Sequence, residues 1–571
     1  MEASMQDFEP PLIAAITLAS DFGLQLLAAL NHAAGNLTST PTAEFPAAIA
    51  NLSAARDLAM SQLHELSGKY KPNTGEWQAL IALQQLDSKI TLAKLNYLVA
   101  AEPQNTATRY HRAIFLAGLG NNELAKQDFL NVLTQEPRHF GALIDFGNLL
   151  LATGYLSAAR TLYQQAITAQ PGATLAHVNL ANLLQSQGEY IPAKHHYLAA
   201  LALEPGLPEA HQGLSYVLNG LGEETAAIIH RELGFREHAW LTWPYKGPEA
   251  PVRILILSSA SGGNIPLKHI LNDQTFACTL VFCEYFSAEN PLPPHSLIFN
   301  AIGDADLCPL ALTAALALTA NCPAAVLNPP KLVQLTGRAL NASRLRNIPG
   351  VITPKSVLFS RLTLLQPGSA DFLRHQGLNF PLLLRSPGFH TGQYFLRIET
   401  AEDLPQAVND LPGEALLAIE LLDTLNTAGE FHKYRVMFVA GKLYPLHLAV
   451  SKHWKVHYFS ANMQEQPEAR QQEQAFLNDM PGVLGAKAFS ALENICGTLA
   501  LDYAGVDFAL SADGDILLFE ANATMVIPCP DKDEQWFYRK PAIEQVLAAV
   551  RNMVLSHAQP GEKALGPTFN P

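Results

Sequence analysis

The 571-residue chain carries little charge. Asp, Glu, Lys and Arg make up 15% of it, where an ordinary globular protein has about a quarter. With hydrophobic residues at 49%, disorder is excluded as the main state and there is material for several cores. Positive charge is in deficit: the formal net charge is −14. Phosphate backbones need a clustered basic surface, so no nucleic-acid partner is expected. Cysteine is sparse. Cys278, Cys283, Cys308, Cys322, Cys496 and Cys529 include no C-x-x-C pair. This excludes a disulfide framework and a zinc ribbon, and predicts reduced thiols in a cytoplasmic protein. No apolar run reaches the roughly 20 residues of a membrane span, and residues 1–10 carry acids without a basic region. Neither a membrane partner nor a secretory leader is expected. At roughly 100–200 residues per domain, the length predicts two to four domains.

Present instead is a repeat. Pro103, Pro137, Pro171 and Pro205 recur every 34 residues, as do Gly120, Gly154, Gly188 and Gly222. Ala125, Ala159, Ala193 and Ala227 keep the same period, and so do Phe129, Tyr163 and Tyr197. Each type has a physical task. Proline stops the second helix of a unit, glycine takes the turn between two antiparallel helices, alanine lets them approach, and the aromatic fills the groove behind. "FGNLLLATGYLSAARTLYQQAITAQP" and "LANLLQSQGEYIPAKHHYLAALALEP" resemble the tetratricopeptide repeat. That resemblance implies a helical solenoid, over residues 72–241, that offers a surface to a peptide or protein. The alternative is an array that only forms a homodimer or stabilises its neighbour. Arg231 stands at the aromatic position of the last unit, as in a terminal cap. Residues 1–71 read as further helices.

"TWPYKGPEAP" then breaks the helical pattern and predicts a domain boundary. Beyond it, "VRILILSSASGGN", "TLVFCEYF" and "SLIFNAIGDAD" read as strands, with a helix expected near 266–272. This predicts an α/β domain over residues 252–350 with a ligand crevice beyond the strand ends. The "SGGN" turn offers backbone N–H groups to an anion, or is a plain tight turn.

"YAGVDFALSADGDILLFEANA" places Asp513-Gly514 between two strand-like runs, which predicts a two-residue hairpin turn. Leu510 would then face Leu517, Phe508 would face Phe519, and Asp507 would lie opposite Glu520, with Asn522 on the same face. Opposed carboxylates repel. Either one is neutralised or a cation lies between them, and two carboxylates with an amide oxygen suit Mg²⁺.

That constellation resembles the ATP-grasp fold, in particular the glutathione-synthetase-like and ribosomal-protein-modifying glutamate ligases. "AAVLNPPKLVQLTGRALNASRLRNIPGVITPK", "FPLLLRSPGFHTGQYFLRI", "LLAIELLDT" and "KYRVMFVAGKLYPLHLAVS" resemble further segments of it in the right order. The resemblance implies an α+β ATP-grasp domain over residues 351–555, followed by a disordered tail at 556–571. It implies ATP and Mg²⁺ as cofactors, with the metal on Asp507, Glu520 and Asn522. Nucleotide would be held by Arg338, Arg385, Gly388, Gly392, Glu420, Leu421, Leu422 and Lys433. Arg338 and Arg385 stand where the family usually has lysine, and Phe389 and His390 replace its usual glycines. Arg435 and Lys452 are the implied catalytic residues, and Lys455, His457 and Asn462 the implied substrate contacts. The implied activity is ADP-forming ligation of a carboxylate to a small-molecule amine or amino acid through an acyl phosphate, the repeats recruiting the peptide or protein substrate. The rival expectation is a repeat-based adaptor with a nucleotide-sensing or inactive grasp domain.

Overall fold

A computed structural model of the chain describes residues 74–247, 250–389, 392–426, 428–456, 461–528 and 533–558. The helices expected in 1–71, His390, His457 and most of the expected tail lie outside the described residues. The first part of that tail is helix, since Lys540–Ala558 runs three residues into it. The chain divides into two compact units, residues 1–210 with 246–250, and residues 211–245 with 251–571.

The first unit is built of helical repeats. The pairs Thr106–Gly118 with Asn122–Gln135, Phe140–Ala152 with Leu156–Ala169, and Thr174–Ser186 with Tyr190–Leu203 follow the 34-residue period. Gly120, Gly154 and Gly188 sit in the inter-helix turns at φ of +79°, +81° and +76°, where an L side chain is strained. Ala125, Ala159, Ala193, Tyr163 and Tyr197 are wholly buried. Tyr163 packs so closely on Gly147 that a Cβ there would lie 2.5 Å from its ring. Residues 74–101, expected to begin the repeats, form one continuous helix, Thr74–Ala101, because the segment has no glycine at the turn position.

Within this unit the third pair is tied together by His177 and His196, Nδ1 to Nδ1 at 3.1 Å, with ring centroids 5.4 Å apart. The centroid separation exceeds the N···N distance by two ring radii, so the rings meet end-on and share one proton. A second proton would set two N–H groups against each other. Burial, then His177, His195 and Arg160, push His196 down from 6.5 to about 4. The folded state therefore binds fewer protons than the unfolded chain between these values, and stability falls as pH drops through that window. Thermal unfolding of the full chain from pH 7 to pH 4 should show this loss, and His196→Gln should flatten it.

The second unit begins inside the helix Pro208–Gly220, not at the predicted boundary. The reason is packing. Phe235, ending the helix Glu224–Phe235, is fully buried, with its ring 4.5 Å from Phe282 and 5.9 Å from Tyr285. The last repeat is thus not a solvated cap but shares a core with the α/β region. Trp240–Thr242, placed by sequence at the end of the repeats and the start of the linker, is strand β1 and pairs antiparallel with residues Thr279–Val281.

Strands β2 (Val252–Ser258), β3 (Phe276–Phe282), β4 (Leu297–Asn300) and β5 (Ala325–Leu327) are parallel, in the order β1-β3-β2-β4-β5. The helix expected at 266–272 is only a 3₁₀ turn, Leu267–His269. Strands β6 (Val351–Ile352) and β7 (Ser356–Ser360) follow. A second sheet, β7-β10-β8-β9, is antiparallel, from β8 (Leu382–Arg385), β9 (Phe395–Ile398) and β10 (Ala415–Glu420). The third has the order β12-β11-β13-β14-β6, from β11 (Phe431–Val439), β12 (Lys442–Ser451), β13 (Tyr503–Leu510) and β14 (Ile516–Asn522).

The cores do not follow the expected division at residue 350. One continuous core joins the first and third sheets, running from Ile254, Leu257 and Phe299 to Val436, Phe438 and Val546. The second sheet has its own, around Leu382, Leu384, Val408 and Leu416. A buried amide clamps the joint: Asn328 accepts from Tyr503 N at 2.8 Å and donates to Tyr503 O at 2.8 Å. These bonds hold the end of β5 beside the third sheet.

Candidate functional site

Four adjacent strands carry one row of charge. His447 on β12 pairs with Arg435 on β11, Arg435 with Asp507 on β13, and Asp507 with Glu520 on β14. Lys433, two residues from Arg435, points to the same face. Arg435 grips Asp507 with Nε–Oδ1 at 2.6 Å and Nη2–Oδ2 at 2.8 Å, and Lys433 Nζ adds a contact to Oδ2 at 2.6 Å. Asp507 is fully buried. Burial alone would raise its pKa, but Arg435 and Lys433 hold the carboxyl well below its ordinary range. Burial and then the Arg435 charge push His447 well below its ordinary value, leaving a neutral imidazole.

The Asp507–Glu520 opposition arises differently from the sequence argument. Ser511 N donates to Asp515 O at 2.9 Å, closing a three-residue loop in which Gly514 takes φ +76°. Phe508 therefore faces Leu518, and Leu510 faces Ile516, not Phe519 and Leu517. A bulge between Asp507 and Phe508 on the ladder leaves Phe519 unpaired and turned outward. The bulge shifts the register by one, which restores Asp507 opposite Glu520.

Each of the opposed acids is met by side-chain cations of its own, Asp507 by Arg435 and Lys433, and Glu520 by Arg338. Arg338, first residue of the helix Arg338–Leu345, reaches Glu520 Oε1 through Nη2 at 2.7 Å. Its Nη1 lies 3.2 Å from Asp306 Oδ2 and 3.8 Å from Asp304 Oδ2. Burial opposes its charge, but Glu520, Asp304 and Asp306 outweigh that and raise its pKa. Sequence reading missed Asp304 and Asp306. They follow β4 in "IGDAD", and the signal was available: acids just past the carboxyl end of a parallel strand, where ligands of open sheets gather.

Arg385 closes β8 and opens the loop 386–394 before β9. Its Nη2 donates to Phe389 O, its guanidinium lies 5.4 Å from the Phe395 ring, and its buried Nε has no partner among the described residues. No ion pair joins it to a carboxylate among those residues. Burial and then the Arg338 charge push its pKa down to about 10, though a guanidinium stays protonated there. Lys455, in the bend after β12, reaches the start of β9 with its Nζ donating to Phe395 O at 3.2 Å, and its pKa is lowered by partial burial and then by Arg385. Gly388 has φ +79°, and a Cβ on it would meet Leu307 at 2.9 Å. Gly392 lies against Lys455, so a Cβ there would fall 2.7 Å from its side chain.

Apart from Asn522, the other expected residues do not join this cluster. Lys452 is exposed in the bend after β12. Asn462 is exposed and turns its amide to Glu465 at 2.7 Å. Glu420 accepts from Lys355 N at 3.0 Å at the end of β10, with Leu421 and Leu422 just beyond. Asn522 donates from Nδ2 to Glu520 Oε1 at 2.7 Å, while its oxygen accepts from Thr524 N at 3.0 Å. Because Thr524 N can only donate, the Asn522 oxygen faces Thr524 and not the opposed carboxylates. The "SGGN" segment is a turn, closed by Asn264 Oδ1 on Ser259 N at 2.8 Å and by Gly263 O on Gly303 N at 2.9 Å. No helix of the described residues is long and apolar enough to cross a membrane.

Compared with known proteins, the chain matches no family model and no curated protein. Among solved structures it is similar to a MamA crystal structure, at 17% identity over 29% of this chain and 95% of that one, with a TM-score of 0.26. MamA from Desulfovibrio magneticus is 22% identical over 28% of this chain and 93% of that one, with a TM-score of 0.24. The pilF protein of Pseudomonas aeruginosa is 15% identical over 40% of this chain and 93% of that one, with a TM-score of 0.25. The chain is a region of paired helices with a 34-residue repeat followed by a mixed α/β region with several sheets.

Proposed function

We propose that the second unit is an ATP-grasp-type ligase, which joins a carboxylate to an amine with conversion of ATP to ADP, and that the repeats recruit its peptide or protein substrate. The observation that carries the reading is Arg385: a guanidinium with a buried, unpartnered Nε, beside Arg338 and Lys455 and without an ion-pair partner among the described residues. Such a group is costly to bury unless an anion arrives to meet it. A phosphate chain supplies that anion, and the loop 386–394 would cover it. The order of sheets along the chain, with its acid-bearing strand pair, agrees with the same reading.

Mg²⁺ would draw on the hard oxygens of Glu520, Asp304 and Asp306; as arranged here, no group of three or more His, Cys, Asp or Glu among the described residues could hold a metal ion. Both opposed carboxylates hold side-chain cations here, so the ion would share Glu520 in competition with Arg338. When bound, it would offset phosphate charge. Arg385, Arg435 and Lys455 would gather phosphates and carboxylate against their mutual repulsion, and loop closure would exclude water from the acyl phosphate. Repeats of this kind commonly hold peptides, which would raise the substrate's local concentration at the site.

The test is calorimetric titration of ATP into the full chain with and without Mg²⁺, then ADP release with pooled amino acids and candidate peptides. MgATP should bind more tightly than free ATP, and Glu520→Gln should remove that difference. Absence of ATP binding under either condition would end the proposal. Binding without ADP release under any acceptor would favour a nucleotide-sensing adaptor.

A further inference from the structure

We propose that Cys322 and His295 form an activated-thiol site that takes low-molecular-weight disulfides, remote from the charged cluster. His295 precedes β4 and Cys322 precedes β5. These strands are parallel neighbours with Leu297 opposite Ala325, so the register brings the two residues together at the amino ends of the strands. Asp304, Asp306 and the glycine turn lie beyond the carboxyl ends, at the opposite end of the strands. His295 Nδ1 is 2.7 Å from Pro293 O, and its Nε2 is 3.3 Å from Cys322 Sγ. A carbonyl oxygen can only accept, so Nδ1 carries the proton. Nε2 is then a bare acceptor aimed at the thiol, and the Pro293 carbonyl is placed to stabilise the imidazolium once it forms.

The other described cysteines provide an internal contrast. Cys278, Cys283, Cys308 and Cys496 are buried, and Cys322 is partly exposed. Burial pushes the Cys278 and Cys308 thiols up to about 12, and raises those of Cys283 and Cys496 as well. They are poor nucleophiles and poorly reached. Cys529 lies outside the described residues.

The chemistry is thiol–disulfide exchange. The Cys322 proton passes to His295 Nε2, and the thiolate attacks one sulfur of a disulfide R–S–S–R. A Cys322–S–S–R bond forms, the original S–S bond breaks, and the departing thiolate takes the proton from His295 as R–SH. The protein thiol is oxidised and the small disulfide is reduced.

The test treats the full chain with glutathione disulfide at pH 6 and pH 9, quenches at intervals, and maps mixed disulfides by mass spectrometry. At pH 6 Cys322 should react about ten-fold faster than any other cysteine of the chain and than free N-acetylcysteine. His295→Asn should slow it about ten-fold at pH 6 and hardly at all at pH 9, where free thiols in general are largely ionised without a neighbouring base. A merely structural role for His295 would change access and slow the reaction alike at both. Equal slowing at both pH values, or a Cys322 rate no greater than that of free N-acetylcysteine at pH 6, would overturn the proposal. The comparison with N-acetylcysteine uses wild-type protein alone, so it stands even if the variant does not fold.

Discussion

Replacing Asp507 with alanine is expected to lower the stability of the second unit by about 3–5 kcal/mol, the usual cost of removing one partner from a buried ion pair. The like-charge argument from sequence points the other way, since deleting one of two opposed acids should relieve repulsion. In the folded chain Asp507 is fully buried and holds both Arg435 and Lys433. Its loss leaves two cations facing each other beside a neutral His447, and the nearby Glu520 is already held by Arg338. Equilibrium denaturation should show a marked fall in midpoint for Asp507→Ala. Asp507→Ala combined with Lys433→Met should recover part of it, because one stranded charge is removed. An unchanged midpoint for Asp507→Ala would show that the row of charge carries no stability. The carboxyl is held well below its ordinary 3.8. Its contribution is therefore complete above that pH and is lost only as pH falls further, through the folded value.

Arg385→Met is expected to separate stability from binding. A guanidinium without a carboxylate partner costs free energy when no nucleotide is bound, so the methionine variant should unfold at the same midpoint as wild type or above it. Nucleotide affinity should move oppositely. Losing the counter-ion of a phosphate in a closed site costs roughly 2–5 kcal/mol, about thirty-fold or more in dissociation constant. Arg385→Lys keeps the charge but loses the planar fork, and should fall between the two. Calorimetry of wild type, lysine and methionine variants with MgATP decides the matter. Three equal dissociation constants would mean that Arg385 does not meet phosphate. A destabilised methionine variant would mean that Arg385 is instead a packing residue, through Phe389 and Phe395.

The sequence by itself determined the repeats. Their signal is local, because each proline, glycine, alanine and aromatic acts on neighbours within one 34-residue unit. It also determined the strand runs around "SADGDILLFEANA" and that Asp507 meets Glu520, but by an argument with two compensating slips. A three-residue turn moved the ladder one way and the Phe519 bulge moved it back. Turn length and bulge depend on how β14 packs beside β13 and β6, which no hydrophobic alternation records. Tertiary structure alone decided which cations the acids hold. Arg338 and Glu520 are 182 positions apart, and a contact at that distance leaves no periodic trace. It also decided where the units divide. Phe235 reads as the end of a repeat helix, yet it is buried on Phe282 and Tyr285. Apolar area alone does not say which neighbour will cover it, because the hydrophobic effect has no direction.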